Sequence, residues 1–344
     1  MSIRIASLKK GLSNASYFAG HFLEYALVPK LFYRYRLDRL LSSLSPEERE
    51  LVTKRADYYN KLNEQTPIEG GTEVGHYRFP YKKISYEGRR RRFAAYFFDQ
   101  YEVMRYFPPS SRFLYIHGDV RKVPAQPTFV KSRPIVGNST MQNADWPDSN
   151  ANAVILKLNK RRHYHFVNDT KSFAEKKDML VSRTTWCNAR PWRRLFCELF
   201  WNHPMCDVGK SKAEPDEDFP ESVKGFMSIE EQLNYKFIAC VEGIDVATNL
   251  KWVMASNSVA VSPPMRYETW FMEGTLIPNY HYIEVRPDFS DLIDKLNYYL
   301  AHPQEAEAII EHAHEYVAQF RNQRLELATQ LTVAQKYFKK TVSG

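Results

Sequence analysis

Asp119 stands in the sequence His117-Gly118-Asp119-Val120, directly after an apolar run at residues 112–116 (RFLYI). That run reads as a buried strand, and the glycine lets the backbone turn sharply past its end. A carboxylate placed there suits proton abstraction. It suits capping of the next turn equally well. Residues 127–134 (PTFVKSRP) read as an extended segment ending at proline. Alternation along it puts Lys131 and Arg133 on one face with Ser132 opposite, two cations that would suit an anionic group. A third group of charges surrounds Trp186 and Trp192: Arg183, Arg190, Arg193 and Arg194. Arginines at a strand end and at the start of the following helix form a sensible clamp for a diphosphate. The plainer reading is arginine packed on tryptophan by cation–π contact.

The elements that must hold these residues centre on 235–285. Two short apolar runs, 236–241 and 258–261, flank a segment in which Val246, Leu250, Val253 and Met254 share a helical face. Strand–helix–strand is the order of a parallel sheet with a crossover helix, so the fold class is α/β. The second run stops at Pro263-Pro264. Ligands of open α/β sheets lie at the carboxyl ends of the strands. The loop 262–273, with Arg266, Tyr267, Glu268, Trp270 and Glu273, is therefore expected at a site.

Further helices are expected at 45–64 (Ser45 as cap, Pro46 in the first turn), 93–106, 191–201 and 228–233. Two more begin at Ser290 and Pro303, and the tail ends in one. Strands are expected at 76–86, 153–158 and 177–182. Arg89–Arg92 reads as a solvated turn, or as a run that could meet phosphates on an acceptor; 138–152 reads as a mobile loop and 207–221 as a surface loop. His163 and His165 have no third ligand nearby, so no metal site is expected.

With 344 residues, the chain suggests two domains. The net charge of +8 favours an anionic partner. The 22 Tyr and 21 Phe suit packing, or a surface on which sugar rings stack. Four cysteines without CxxC spacing point to free thiols in a reducing compartment. No run has the length of a transmembrane helix, and the first residues lack the apolar core of a signal peptide, so a cytoplasmic protein is expected. Residues 1–40 mix basic with aromatic and aliphatic residues. That is the composition of a segment lying on an anionic membrane, or of a helix packed on the first domain. There is no GxGxxG, Walker, GxSxG or HExxH motif.

Three stretches carry a family resemblance: KWVMASNSV, then YETWFMEGTLIPNYHYIEV, then DFSDLIDKL. They resemble the C-terminal half of glycosyltransferase family 90. GDV with PTFVKSRPI, LNKRRHYHFVND and KKDMLV are similar to its bacterial branch. The resemblance spans roughly residues 95–320. It implies a GT-B-like fold, two facing Rossmann-like domains with a cleft between them. The divisions would be 1–172 as acceptor-side domain, 173–320 as nucleotide-sugar domain and 321–344 as a helical tail. It also implies inverting, metal-independent transfer of a hexose from a nucleotide sugar, commonly UDP-linked, with no other cofactor. Asp119 matches the position of the general base. Arg183, with Arg190 or Arg193, and Lys251 would face the diphosphate. Thr248 and Asn249 would offer hydrogen bonds near a helix start, and Tyr267 and Glu268 would contact ribose or sugar. Lys131 and Arg133 would lie toward a phosphorylated acceptor. The family usually has Arg-Gly where this chain has Arg183-Thr184, and its animal members have arginine where this chain has Asn249. The expected partners are a nucleotide sugar, a lipopolysaccharide or glycolipid acceptor and the inner membrane surface, without nucleic acid. The alternatives are a capsule or exopolysaccharide transferase and a non-catalytic polyanion or glycolipid binder.

Overall fold

The computed structural model describes residues 16–25, 27, 30–79, 89–137, 146–186, 191–211 and 217–343. In the front half lie β1 (Thr66–Ile68), β2 (Thr72–Glu73), β3 (Arg112–Phe113), β4 (Tyr115–Ile116), β5 (Thr128–Val130), β6 (Ser132–Pro134) and β7 (Ala153–Ile155). In the rear half lie β8 (Lys177–Thr184), β9 (Cys206–Lys210), β10 (Tyr235–Ala239), β11 (Val259–Ser262), β12 (Tyr267–Thr269) and β13 (Ile283–Glu284), and β14 (Thr341–Ser343) closes the chain.

Among the described residues, two parallel sheets have three or more strands. The front one has the order β4-β5-β7 and the rear one β13-β11-β10-β8-β9. A mixed α/β fold with parallel sheets is thus present, as the strand–helix–strand pattern required. The rear strands are apolar on both faces because both faces are covered. Leu180, Phe237, Val259 and Val261 pack outward with Leu292, Leu296 and Ile309 from the helices Leu292–Ala301 and Pro303–Ala318. Their neighbours Val181, Ile238 and Ala260 point the other way. They join a core that runs on through Trp270 and Phe271 to Phe97, Phe129 and Val154 of the front half.

Local rules set several boundaries. Ser45 and Glu48 form a reciprocal capping box at the start of the helix Pro46–Tyr59, with backbone-to-side-chain bonds of 3.0 and 3.2 Å. Ser228 and Glu231 repeat it before Ile229–Gln232. Elsewhere tertiary pairing overrides the local reading. The polar stretch CDVGK is a strand, not a loop, because five residues pair in register with β8 and bury Cys206 and Val208. The loop expected at 262–273 contains β12, which pairs antiparallel with β6 and straps the halves together. Residues 74–76 form a short 3-10 helix and 77–79 no strand, and 80–86 lie outside the described residues. Arg89–Arg92 opens the helix Arg89–Met104 rather than a turn. The segment 246–254 condenses to the single turn Leu250–Val253.

The last helix, Gln323–Lys340, does not stay with the rear half. It lies against Pro46–Tyr59, and β14 pairs with β1. Its Glu326 takes Arg55 Nη1 at 2.6 Å and Lys157 Nζ at 2.6 Å, and accepts from Trp270 Nε1 at 2.8 Å. Tyr337 donates its hydroxyl to Pro127 O and accepts from Leu114 N. Among the described residues no helix is long and apolar enough to cross a membrane.

Candidate active site

The carboxyl ends of the two sheets meet at one lysine. β4 ends at Ile116, and Gly118 at φ +114° turns the chain so that Asp119 faces Lys131, which follows β5. Lys131 Nζ lies 2.7 Å from Asp119 Oδ1 and 2.6 Å from Oδ2 of Asp245, which follows β10 in the rear half. Ser132 Oγ donates to the same Asp245 oxygen at 2.7 Å. The Lys131 side chain is 2% exposed, against 11% for Asp119 and 7% for Asp245. Burial disfavours charge on Lys131, but Asp245 and then Asp119 outweigh it and hold the ammonium above its ordinary value. Alternation breaks between β5 and β6, so Lys131 and Ser132 both reach Asp245.

His117 lies beside this group. Its Nε2 is 2.7 Å from Gln100 Oε1, and its ring stacks on Tyr96. Burial pushes the imidazole down to about 4.

At the end of β10, Arg193 from the helix Pro191–Phe200 donates from Nε to Val241 O and Glu242 O, each at 3.1 Å. A side chain at Gly243 would meet its guanidinium at 3.0 Å, so glycine admits that approach. Glu242 Oε2 accepts from Arg266 Nε at 2.7 Å, and Glu242 Oε1 from the backbone N–H groups of Arg266 and Tyr267. Burial raises the Glu242 carboxyl despite Arg266. Arg266 in turn covers the Trp192 ring at 4.6 Å. Asn249 Nδ2 donates to Ala239 O at 2.9 Å, and Thr248 beside it is half-buried.

The other expected contacts lie elsewhere. Arg133 is 0% exposed; it donates to Glu268 Oε1 at 2.7 Å and to the carbonyls of Tyr58, Tyr59 and Ala153. Glu268, 2% exposed, also accepts from the Tyr58 hydroxyl. That pair fastens β6 to β12, and burial on both sides removes it from any acceptor or ribose. Lys251 is 0% exposed and pairs with Glu273 Oε1 at 2.5 Å, beneath the site rather than in it. Arg183 sits near the carboxyl end of β8, but its guanidinium folds back to Asp207, donating to the backbone oxygen at 2.7 Å and to Oδ1 at 2.8 Å. Asp207 pairs with Val181, so the charge points toward the amino side of the sheet. Tyr267 is buried, with Trp146 against its ring. Arg190 lies outside the described residues.

Asp119, Arg193, Thr248 and Asn249 are thus gathered where the two sheets' carboxyl ends approach. Arg266, in the loop expected at a site, lies there too, whereas its partner Glu242 and Asp245 were missed. Their signal was position: an acid directly after the apolar run of β10, and a second acid just before the crossover helix. Among the described residues, no three His, Cys, Asp or Glu side chains gather as a metal site.

The family described as Glycosyl transferase family 90 matches residues 154–327. A protein named O-glucosyltransferase LpsA, from Dichelobacter nodosus, is 41% identical over 298 residues, which is 85% of this chain and 84% of that protein. A protein named Uncharacterized protein 035R, from Invertebrate iridescent virus 3, is 33% identical over 92 residues, 26% of this chain and 8% of that one. A family match over half the chain and a relative aligned along most of both lengths lead to one conclusion: this chain is a glycosyltransferase and belongs to family 90.

Proposed function

We propose that the chain transfers a glucosyl group, with inversion and without a metal, from a UDP-sugar to a lipopolysaccharide core acceptor. The observation that carries the reading is Asp119, at the end of a front-sheet strand, facing the rear sheet's carboxyl ends across Lys131 and Asp245. In this mechanism Asp119 takes the proton of an acceptor hydroxyl as its oxygen attacks the anomeric carbon. The bond to the diphosphate breaks on the opposite face, and the electron pair leaves with UDP. Lys131 holds the Asp119 carboxylate in place. Arg193 and the amino end of the helix Pro191–Phe200 supply positive potential near the departing phosphates. Thr248 and Asn249 are the neighbouring hydrogen-bonding groups. A GT-B arrangement, with the donor on the rear sheet and the acceptor on the front, accommodates these assignments. The name of the bacterial relative supports glucose as the sugar.

The acceptor chemistry calls for work at the inner face of the cytoplasmic membrane. Phe32 and Tyr35, 53% and 75% exposed on the basic helix Lys30–Ser42, supply an apolar and cationic face for it.

The test is Asp119→Asn. Transfer from UDP-glucose to core oligosaccharide should fall by roughly 10²–10⁴-fold, while the UDP-induced rise in melting temperature stays as in wild type. Near-wild-type transfer would remove Asp119 from the role of base. Running the assay with acceptor in anionic vesicles and in detergent reports on the membrane part. Equal rates in the two would argue against it.

A further inference from the structure

A cleft of about 280 Å³ opens against the amino ends of β8 and β10. It lies away from the carboxyl ends where Asp119, Asp245 and Arg193 gather. Lys177, Arg183, Lys224 and one acid, Glu231, line it together with Phe226 and Tyr235. Lys171 extends the positive rim, donating to Asn234 Oδ1. On the floor, Asp207 binds Arg183 and accepts from the Tyr235 hydroxyl at 2.7 Å. Four cations, Lys171, Lys177, Arg183 and Lys224, stand against two carboxylates, Asp207 and Glu231, and Glu231 is already engaged by the Ser228 backbone N–H, so the cleft keeps a positive balance. Lys177 is exposed, and its ammonium lies over the Tyr235 ring at 4.8 Å. Among the described residues no carboxylate lies within ion-pair distance of it. Phe226 is 62% exposed, an aromatic face turned to solvent beside these charges.

We infer that this cleft binds a sugar carrying an anionic group, a phosphate or a carboxylate, as a secondary saccharide subsite. Chemistry favours a charged ring over a neutral one. The cations attract the anion, and the Phe226 face takes the C–H side of the pyranose. The proposal leans on the transferase reading only for the source of the ligand, a charged residue of the acceptor glycan. The site itself does not depend on it.

The experiment titrates the full chain with glucose 6-phosphate, glucuronate, glucose and inorganic phosphate at millimolar concentration, following binding by NMR or calorimetry. At least one charged sugar should bind, and more tightly than glucose or inorganic phosphate. The better of glucose 6-phosphate and glucuronate identifies phosphate or carboxylate as the group held. Lys177→Glu should weaken that binding about tenfold and Phe226→Ala should weaken it too, with the UDP-induced melting shift unchanged in both. Two results overturn the proposal: no binding of either charged sugar, or binding that matches inorganic phosphate and survives both substitutions. Neither result touches the role of Asp119, which is read by transfer and not by these probes.

Discussion

Lys131 and His117 show how burial around Asp119 is organised one residue at a time. Lys131 stays charged in a nearly dry position because two carboxylates face it. His117, a short step along the chain, has no carboxylate partner among the described residues and is held neutral by desolvation, its value pushed down to about 4. An unfolded histidine titrates near 6.5. Between those values the unfolded chain takes up a proton that the folded chain refuses, so this group's contribution to stability falls as pH drops from about 6.5 to 4. His117→Gln should lose that component. Melting temperatures of wild type and variant should converge as pH falls from 7 to 5; parallel curves would contradict the assignment. Local sequence announced part of this neighbourhood. Asp119 after strand and glycine, and Arg193 near a helix start, were readable because strand ends and helix starts are local events. The fates of Lys131, Arg133, Lys251 and Glu268 were not. A charged residue reads alike whether it faces a ligand or a buried partner more than a hundred residues away in sequence, as Glu268 is from Arg133.

At the scale of elements, the pairing of β6 with β12 is the feature most easily mistaken for a ligand loop. Its polar and aromatic residues gave it the look of a binding segment. In the fold they saturate one another: Arg133 with Glu268, and Thr269 with Glu273. Arg133→Met should therefore destabilise the protein by about 3–5 kcal/mol, since Glu268 is left buried without its cation. Arg133→Met with Glu268→Leu should recover part of that loss. Denaturant midpoints decide it, and a single-variant change below about 1 kcal/mol would show that the pair carries little. The strand β9 was hidden for a related reason. Asp207, Gly209 and Lys210 have poor strand propensity, and only the edge of β8 makes that stretch extended.

For the whole molecule, the return of Gln323–Lys340 to the front half matters most. Periodicity made it a helix but said nothing of where it docks. Leu331, Val333, Ala334 and Tyr337 are all 0% exposed there, and Glu326 holds Arg55, Lys157 and Trp270. Removing residues 321–344 should abolish cooperative unfolding of the front half, where a separable tail would leave it intact. Circular dichroism melts of the truncated chain, with the full chain as reference, make the distinction.

That docking also sets an order of assembly during synthesis. The rear sheet, with the helices that cover its outer face, is complete in the nascent polypeptide before the closing helix has been translated. The front sheet emerges earlier yet waits longest. Until residues near Tyr337 arrive, Phe129 lacks the ring that covers it at 4.1 Å, and a chaperone guarding the nascent chain would find its binding sites there.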